Sequence, residues 1–212
     1  NMPAVALRGL TILPGMIAHF DVSRERSLRA IEEAMEQDQK IYLVTQKNVD
    51  REDPTQEDLY QMGIVADIKQ VVRLQNDVVR ILVDGISRAK LLGFTGCEKY
   101  LEAEICYFDS NKDSLPEDLR EAMLLGVREA FHRYAAVIGK ISKELIRQID
   151  QYEDLEKLID YVTNNLPVSY ELKQQVLEAE DINDRYQVIV SLLLSQVEVI
   201  SIKNELQKKV KI

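Results

Sequence analysis

The side chains that could carry acid–base chemistry are few and scattered in this sequence of 212 residues. Its two histidines, His19 and His132, have no Cys, Ser or second His at a spacing that would place a partner beside them. Catalysis by histidine requires a positioned partner, whereas a histidine without one is ordinarily structural. We therefore interpret both as structural residues, His19 on a strand and His132 on a helix.

Two Ser–Lys combinations carry the residue types of a serine nucleophile with a lysine base. Ser87 and Lys90 match S-x-x-K, a pairing that requires a helix, where residues three apart share a face. The surrounding GISRAKLLGF is typical of a strand, in which residues three apart point to opposite faces. Ser142 and Lys143 are adjacent on a predicted helix and diverge by about 100°. Neither combination predicts a catalytic site.

Metal, nucleotide and nucleic-acid sites are not indicated either. Cys97 and Cys106 are the only cysteines, too few for a zinc site, and are expected to be reduced thiols. The sequence lacks H-E-x-x-H, G-x-S-x-G and G-x-x-x-x-G-K-[ST]. A net charge of −9 opposes nucleic-acid binding, which depends on Lys and Arg, and the basic residues of 203–211 are interpreted as a solvated helix face. We expect no cofactor, no metal and no nucleic-acid partner.

The first half of the chain is predicted to be rich in strands. Strands are expected at residues 16–22 and 40–46, in the hairpin GIVADIKQVVRL–QND–VVRILVDGI, and at RAKLLGF and YLEAEICYF. Asn76 and Asp77 tolerate the positive φ that a tight hairpin turn needs. About six strands are enough to close a small barrel around one core.

One helix is predicted among these strands, over residues 24–38. Leu28, Ile31 and Met35 recur at helical spacing and are expected on its buried face. Ser23 is the expected N-cap, because its hydroxyl can accept hydrogen bonds from the free N–H groups of the first turn.

The pattern becomes helical in the second half. Ser114 and Pro116 are start signals for a long helix, and Gly139 is a predicted break. Two shorter helices separated by Pro167 follow, and the last helix is expected to begin near Asp184.

The domain boundary is predicted at residues 109–114. It separates a β-rich lobe, residues 1–113, from an all-helical bundle lobe with a long C-terminal helix, residues 114–212, and the fold class is α+β. Beyond Val199 the apolar pattern narrows to Ile202, Leu206 and Val210. No run of about 20 apolar residues and no basic-then-apolar leader is present, so we expect a cytoplasmic protein without a membrane span.

Four ordered segments resemble the amino-terminal domain of the bacterial Lon ATP-dependent proteases. They are ALRGLTILPGM, VSRERSLRAIEEAMEQDQKIYLVTQK, DPTQEDLYQMGIVADIKQVVRL and VRILVDGISRAKL. The resemblance covers essentially the whole chain and is dense as far as Phe94. It departs at the hairpin turn, where LQNDV replaces the usual Pro-Asp-Gly, and at Ser23, where Gly is common.

The resemblance implies a PUA-like lobe followed by a helical bundle. It also implies a larger parent protein, a homohexamer whose ATPase module uses ATP and Mg²⁺ and whose Ser-Lys protease module cuts substrates, neither of which lies in this sequence. The fragment is then non-catalytic, binding unfolded, damaged or degron-tagged proteins and supporting hexamer assembly. Two alternatives are a purely structural oligomerisation module and a PUA-like RNA-binding module, the second opposed by the acidic charge.

Binding of unfolded chains requires an adaptable apolar surface. Pro14 and Gly15 force a turn that is expected to lift Leu13 and Met16 outward, and Val71 interrupts the polar face of its strand near the hairpin tip. We predict one contact patch with six members: Leu13, Pro14, Met16, Val71, Val72 and Leu74. The alternative is that Leu13, Met16, Val72 and Leu74 belong to the core.

Overall fold

The computed structural model of the protein describes residues 1–108 and 115–210. The predicted boundary at residues 109–114, including Ser114, lies outside the described residues. The elements are β1 (Met2–Leu7), β2 (Ile17–Val22), α1 (Glu25–Glu36), β3 (Lys40–Thr45), a 3-10 turn (Gln56–Asp58), β4 (Met62–Arg73), β5 (Val79–Phe94), β6 (Glu102–Tyr107), α2 (Glu117–Ile138), α3 (Lys143–Gln151), α4 (Leu155–Asn164), α5 (Tyr170–Glu178) and α6 (Ile182–Val210). The predicted α+β class is confirmed.

The chain separates into two compact units. The first unit comprises Asn1–Asp109 and Val168–Glu178, and the second comprises Ser110–Pro167 and Ala179–Ile212. The described strands all lie in the first unit with α1 and α5, whereas α2, α3, α4 and α6 form the second. Helix α5 therefore differs from the predicted division, which placed the whole of 114–212 in one helical lobe.

Side-chain contacts explain why α5 belongs to the strand-bearing unit. Gln174 is buried, donates to the carbonyl of Met62 over 3.0 Å and accepts from the hydroxyl of Thr11 over 3.0 Å. The buried guanidinium of Arg88 donates to the Leu177 carbonyl over 3.1 Å, near the end of α5. Helix C-terminal carbonyls lack intrahelical partners, so Arg88 supplies one of the missing donors.

The six strands form one sheet that closes on itself. Their order is β2-β5-β4-β3-β1-β6, and an additional β5–β6 pairing joins the last five strands of that order into a ring. The β1–β3 pairing is parallel and the other pairings are antiparallel. Strand β5 is one continuous element of 16 residues where the sequence predicted two strands, and its length lets it pair with β2, β4 and β6.

Alternate residues of the strands enter two separate cores. In β1, Val5 and Leu7 join one cluster, while Ala4 and Ala6 join the other, as strand alternation requires. Helix α1 packs Ala30, Ile31 and Ala34 into the first cluster.

The start and the buried face of α1 differ from the prediction. Arg24, not Ser23, occupies the N-cap position, and its side chain makes no capping hydrogen bond. The prediction of Ser23 as the cap is wrong because the helix begins one residue too late for it. The buried face is rotated toward Ser27 and Ala34, so Leu28 is half-buried and Met35 is exposed.

In the second unit, α2 and α6 approach each other closely. A Cβ on Gly126 of α2 would collide with the hydroxyl of Tyr186 of α6, which explains a glycine inside a helix. Gly139 has φ +68° and caps the end of α2, so the predicted break there is confirmed. Buried Arg185 donates to the Ala179 carbonyl over 2.8 Å at the start of α6.

Helix α6 is long and apolar enough, by length and composition alone, to cross a membrane. A core helix of a soluble protein passes the same test. Five of its residues are buried in the described structure: Ile182, Arg185, Ile189, Leu192 and Leu193. Five of its later apolar residues are exposed: Leu194, Val199, Ile202, Leu206 and Val210.

Candidate functional site

Residues 13–16 form a tight turn that is fastened to β5. The N–H of Met16 donates to the Leu13 carbonyl over 3.1 Å, and Gly15 has φ +81°, the geometry of a type II turn with Pro14 at its second position. Gly15 donates to the carbonyl of Gly85 over 2.8 Å, and Gly85 donates to the carbonyl of Met16 over 2.9 Å. The turn is therefore held at one point of β5.

This attachment buries Leu13. A Cβ on Gly85 would lie 2.5 Å from the Leu13 carbonyl oxygen, so the turn sits directly on the strand where a side chain is missing. Leu13 is 0% exposed, and the prediction that it points outward is wrong. Pro14 is partly exposed, and Met16 is partly buried against the first core cluster.

A β-bulge near the hairpin decides which way its valines face. Ile68 pairs with Val83 and Gln70 pairs with Leu82, so Lys69 is an extra residue in β4. Beyond the bulge the alternation of β4 is inverted. Val71 lies opposite buried Ile81, on the core face, and Val72 lies on the other face.

The hairpin tip displays three apolar side chains. Val71, Val72 and Leu74 are 36%, 39% and 38% exposed. Asn76 and Asp77 have φ of +61° and +58°, which confirms the positive φ predicted for this turn. We call Val71, Val72 and Leu74 the tip surface.

The six predicted patch residues do not meet at one place. Met16 is bonded to Gly85, whereas Val71 and Val72 lie opposite Ile81 and Arg80, farther along β5. At ~3.3 Å per residue this separation is roughly 15 Å along the strand, before the width of two strands is added. The tip surface is therefore separate from the apolar residues around the turn.

Two exposed isoleucines near the turn were missed by the sequence prediction. Ile17 is 69% exposed and pairs with Asp84, and Ile86 is 42% exposed. Ile86 is the extra residue of a second bulge, between the Val65–Ser87 and Ala66–Gly85 pairs. Alternation along β2 could have revealed Ile17, but a bulge depends on the partner strand. We call Pro14, Met16, Ile17 and Ile86 the turn surface.

The polar groups beside these surfaces are arranged for structure. Asp21 and Arg80 form an ion pair of 2.8 Å across β2 and β5, and the Arg80 hydrogen bond lowers the pKa of Asp21. Burial raises the pKa of Tyr42, whose hydroxyl donates to the Ala89 carbonyl over 3.0 Å. These contacts hold strands together.

The catalytic candidates of the sequence are dispersed. On β5, Ser87 pairs with Val65 of β4 and Lys90 pairs with Met62. The spacing of three residues places the side chains of Ser87 and Lys90 on opposite faces of the strand. His132 bonds Asp150 over 2.7 Å at an exposed position. Within the described ranges, no group of three or more His, Cys, Asp or Glu could hold a metal ion. Cys97 and Cys106 are free thiols.

Comparison with known proteins identifies relatives over the whole chain. A family model described as the ATP-dependent protease La (LON) substrate-binding domain matches residues 1–195. The Lon proteases of Lachnoclostridium phytofermentans and Clostridioides difficile are 38% and 34% identical over 100% of the chain. The chain spans only 26% and 27% of the length of these two relatives.

Two solved structures share the fold. The N-terminal domain of a Mycobacterium avium complex Lon protease aligns with a TM-score of 0.73 and 19% identity, covering 91% of this chain and 97% of that one. The Lon N-terminal domain protein from Xanthomonas campestris aligns with a TM-score of 0.60 and 12% identity, covering 90% of this chain and 96% of that one. At these identities the comparison establishes the architecture.

Proposed function

The chain belongs to the family of Lon substrate-binding domains, and from that membership we propose that it is the non-catalytic N-terminal module of an ATP-dependent serine protease. In this role it binds unfolded, damaged or degron-tagged polypeptides in the cytoplasm. The match of the family model to residues 1–195 is the observation that carries the proposal. ATP, Mg²⁺ and the Ser-Lys chemistry belong to modules of the parent protein outside this sequence.

The exposed apolar residues of the first unit suit such a role. Unfolded proteins differ from folded ones in exposing apolar segments, and a surface that binds many of them must be apolar, shallow and adaptable. The tip surface supplies Leu74 and two valines, one on each face of β4, and the turn surface supplies Met16 and Ile17. Two small surfaces give weak single-site binding, which several copies in one oligomer would strengthen by avidity.

The test is the fluorescence anisotropy of a labelled, permanently unfolded protein titrated with this chain, with a folded protein as control. We expect saturable binding to the unfolded protein alone, with an affinity in the range of about 10–300 µM. Absence of binding at several times that range would contradict substrate binding by the isolated module. Salt-sensitive binding to RNA in place of polypeptide would instead support the RNA-binding alternative.

A role in assembly is favoured by one observation in the second unit. The exposed residues Val199, Ile202, Leu206 and Val210 of α6 are spaced three, four and four apart. This spacing makes a narrow apolar stripe, which is the pattern of a helix that pairs with another helix. We propose that the stripe contributes to self-association within a homohexamer, and if polypeptide binding fails, assembly becomes the function of this chain.

A further inference from the structure

A cavity of about 200 Å³ opens in the first unit beside the start of α1. Its apolar part includes Leu10 and Phe20, and its polar part consists of Arg8, Ser23, Arg24 and Ser27, together with Asp21, which is already paired with Arg80. A wider recess next to it shares Arg8 and Arg24 and is also lined by Glu25, Glu52 and Asp53. The smaller cavity is therefore lined by two arginines and by one carboxylate, that of Asp21, which is bonded to Arg80.

Among the residues that the structure describes, the two arginines of this cavity donate only to neutral groups. Arg24 donates to the Gln46 side-chain oxygen over 2.8 Å, to the Ala6 carbonyl over 3.2 Å and to the Glu52 carbonyl over 3.0 Å. Arg8 donates to the Arg51 carbonyl over 3.3 Å. Neither is within ion-pair distance of a carboxylate in the described part of the chain.

The charges of Arg8 and Arg24 also act on each other. Burial lowers the pKa of Arg24, and the positive charge of Arg8 lowers it further, against a smaller opposing effect of Asp53. An arginine stays protonated under all ordinary conditions, so the two positive charges persist side by side. An anion between them would relieve the repulsion and replace lost hydration.

The first turn of α1 borders the same cavity through Arg24 and Ser27. The first-turn N–H groups of α1 receive no hydrogen bond from the Arg24 side chain, and the N-terminus of a helix favours negative charge. Ser27 is 6% exposed, lines the cavity, and its hydroxyl has no hydrogen-bond partner among the residues that the structure describes. The hydroxyl is therefore free to donate to an acceptor in the cavity.

We propose that this cavity binds a small organic acid, an oxyanion that carries a short apolar group. The oxyanion lies against Arg8, Arg24 and Ser27, and the apolar group lies against Leu10 and Phe20. The volume suits roughly seven non-hydrogen atoms, the size of isovalerate. The acid is either free or the C-terminal residue of a peptide, because both present the same chemistry.

The test is an NMR titration of the 212-residue protein, following the backbone amides of α1. The probes are isovalerate, methyl isobutyl ketone as the neutral analogue, inorganic phosphate as the oxyanion without an apolar group, and N-acetyl-leucine as the chain-terminus analogue. We expect isovalerate to bind with a millimolar dissociation constant, and the ketone and phosphate to bind at least about tenfold more weakly. Binding of N-acetyl-leucine as tight as that of isovalerate identifies a peptide terminus as the source, and weaker binding identifies a free acid.

Variants assign the binding to the cavity. Arg24→Gln and Ser27→Ala should each weaken isovalerate binding, Arg24→Gln by about tenfold through loss of a charge-assisted hydrogen bond. Ser27→Ala keeps the fold measurable if Arg24→Gln destabilises it, because it removes only an unpaired hydroxyl. Arg29→Gln, on the same helix but outside the cavity, should bind as the wild type does. Unchanged binding in Ser27→Ala, equal binding of the ketone, or no saturation by isovalerate at about 50 mM would overturn the proposal.

Discussion

Gly85 is the residue on which the turn at residues 13–16 depends. Its backbone makes both hydrogen bonds to the turn, and a Cβ there would lie 2.5 Å from the Leu13 carbonyl oxygen and 2.9 Å from the Ile64 side chain. A backbone oxygen cannot move aside as the end of a flexible side chain can. Leu13 is buried because β5 has no side chain at this one position, so the turn packs directly against the strand.

We expect Gly85→Ala to destabilise the first unit by about 2 kcal/mol or more, because the turn must shift away from β5. Urea unfolding measures the change. The matched control is Gly93→Ala on the same strand, where the nearest atom to a Cβ is the Gln56 side-chain oxygen at 3.6 Å, an ordinary contact. Equal stability of the two variants would show that the turn can shift without cost.

The carboxylate of Asp58 makes the stability of the folded protein depend on pH in the acidic range. Its carboxylate accepts from the N–H and hydroxyl of Thr55 over 2.8 and 3.1 Å and from Arg51 over 3.2 Å, and the Thr55 N–H bond is the main cause of its lowered pKa. A carboxylate with a lowered folded pKa stabilises the protein above its unfolded pKa. That contribution is lost as the pH falls through the folded pKa.

Asp58→Asn should therefore melt at a lower temperature than the wild type at pH 6, and the difference should shrink as the pH falls from about 4 toward 2. Thermal melts followed by circular dichroism at a series of pH values measure it. Glu57→Gln, next in sequence, is the control, because its side chain makes no hydrogen bond with the described residues. A difference that stays constant with pH would contradict the role of the Asp58 charge.

At the scale of elements, α5 is held to the strands by a small number of buried polar contacts. Gln174→Leu removes the donor to the Met62 carbonyl and the acceptor for Thr11. We expect a loss of about 1–3 kcal/mol, because the Met62 carbonyl stays buried without its partner. Urea unfolding measures this loss, with Gln175→Leu, an exposed position on the same helix, as control. Equal effects of the two variants would assign the loss to helix propensity and not to docking.

The hairpin tip is the element that tests polypeptide binding most directly. Val72→Ser with Leu74→Ser removes two exposed apolar side chains of the tip surface. We expect the affinity for an unfolded protein to fall about fivefold, by roughly 1 kcal/mol, while the melting temperature changes little. The anisotropy titration measures the affinity.

Leu92→Ser is the matched control for the tip. Leu92 is 53% exposed on β5 and lies outside both the tip surface and the turn surface. The control should bind as the wild type does. A large fall in melting temperature for the tip variant would identify its residues as core, the alternative that the sequence left open.

The sequence predicted those elements whose signals are local. Helical spacing located α2 to α6, Gly139 marked the end of α2, and Asn76 and Asp77 marked the hairpin turn. The errors at the hairpin and at the turn of residues 13–16 came from contacts between distant segments. The extra residue Lys69 reverses the alternation of β4 only because β5 does not match it, so the faces of Val71 and Val72 could not be read from β4 alone.

The candidate site was predictable in part for the same reason. Exposed Val71, Val72 and Leu74 follow from their place near a turn, which is local information. Burial of Leu13 depends on Gly85, and the docking of α5 depends on Met62 and Thr11, which are far away in the chain. Periodicity within one segment contains no signal for these contacts.

At the scale of the whole molecule, the stripe of α6 exposes apolar surface to water, and self-association would remove the free-energy cost of that exposure. Val199, Ile202, Leu206 and Val210 stay in water in the single chain, although their spacing suits a helix pair. Burying such a stripe against a second copy would remove apolar area from water at ~25 cal/mol per Å². Loss of translational freedom offsets much of this gain, so association of the chain by itself should be weak.

We therefore expect sedimentation equilibrium to show a mass that rises with concentration above about 50 µM, and Ile202→Asp with Leu206→Asp to stay monomeric throughout. The charges face solvent in the monomer, so the melting temperature of the dilute variant should not change. Leu125→Asp, which places a charge at a 61% exposed leucine of α2, is the control and should associate as the wild type does. Association of the α6 variant at wild-type strength would assign assembly to another surface, whereas loss of association in both variants would show that added charge alone keeps the copies apart.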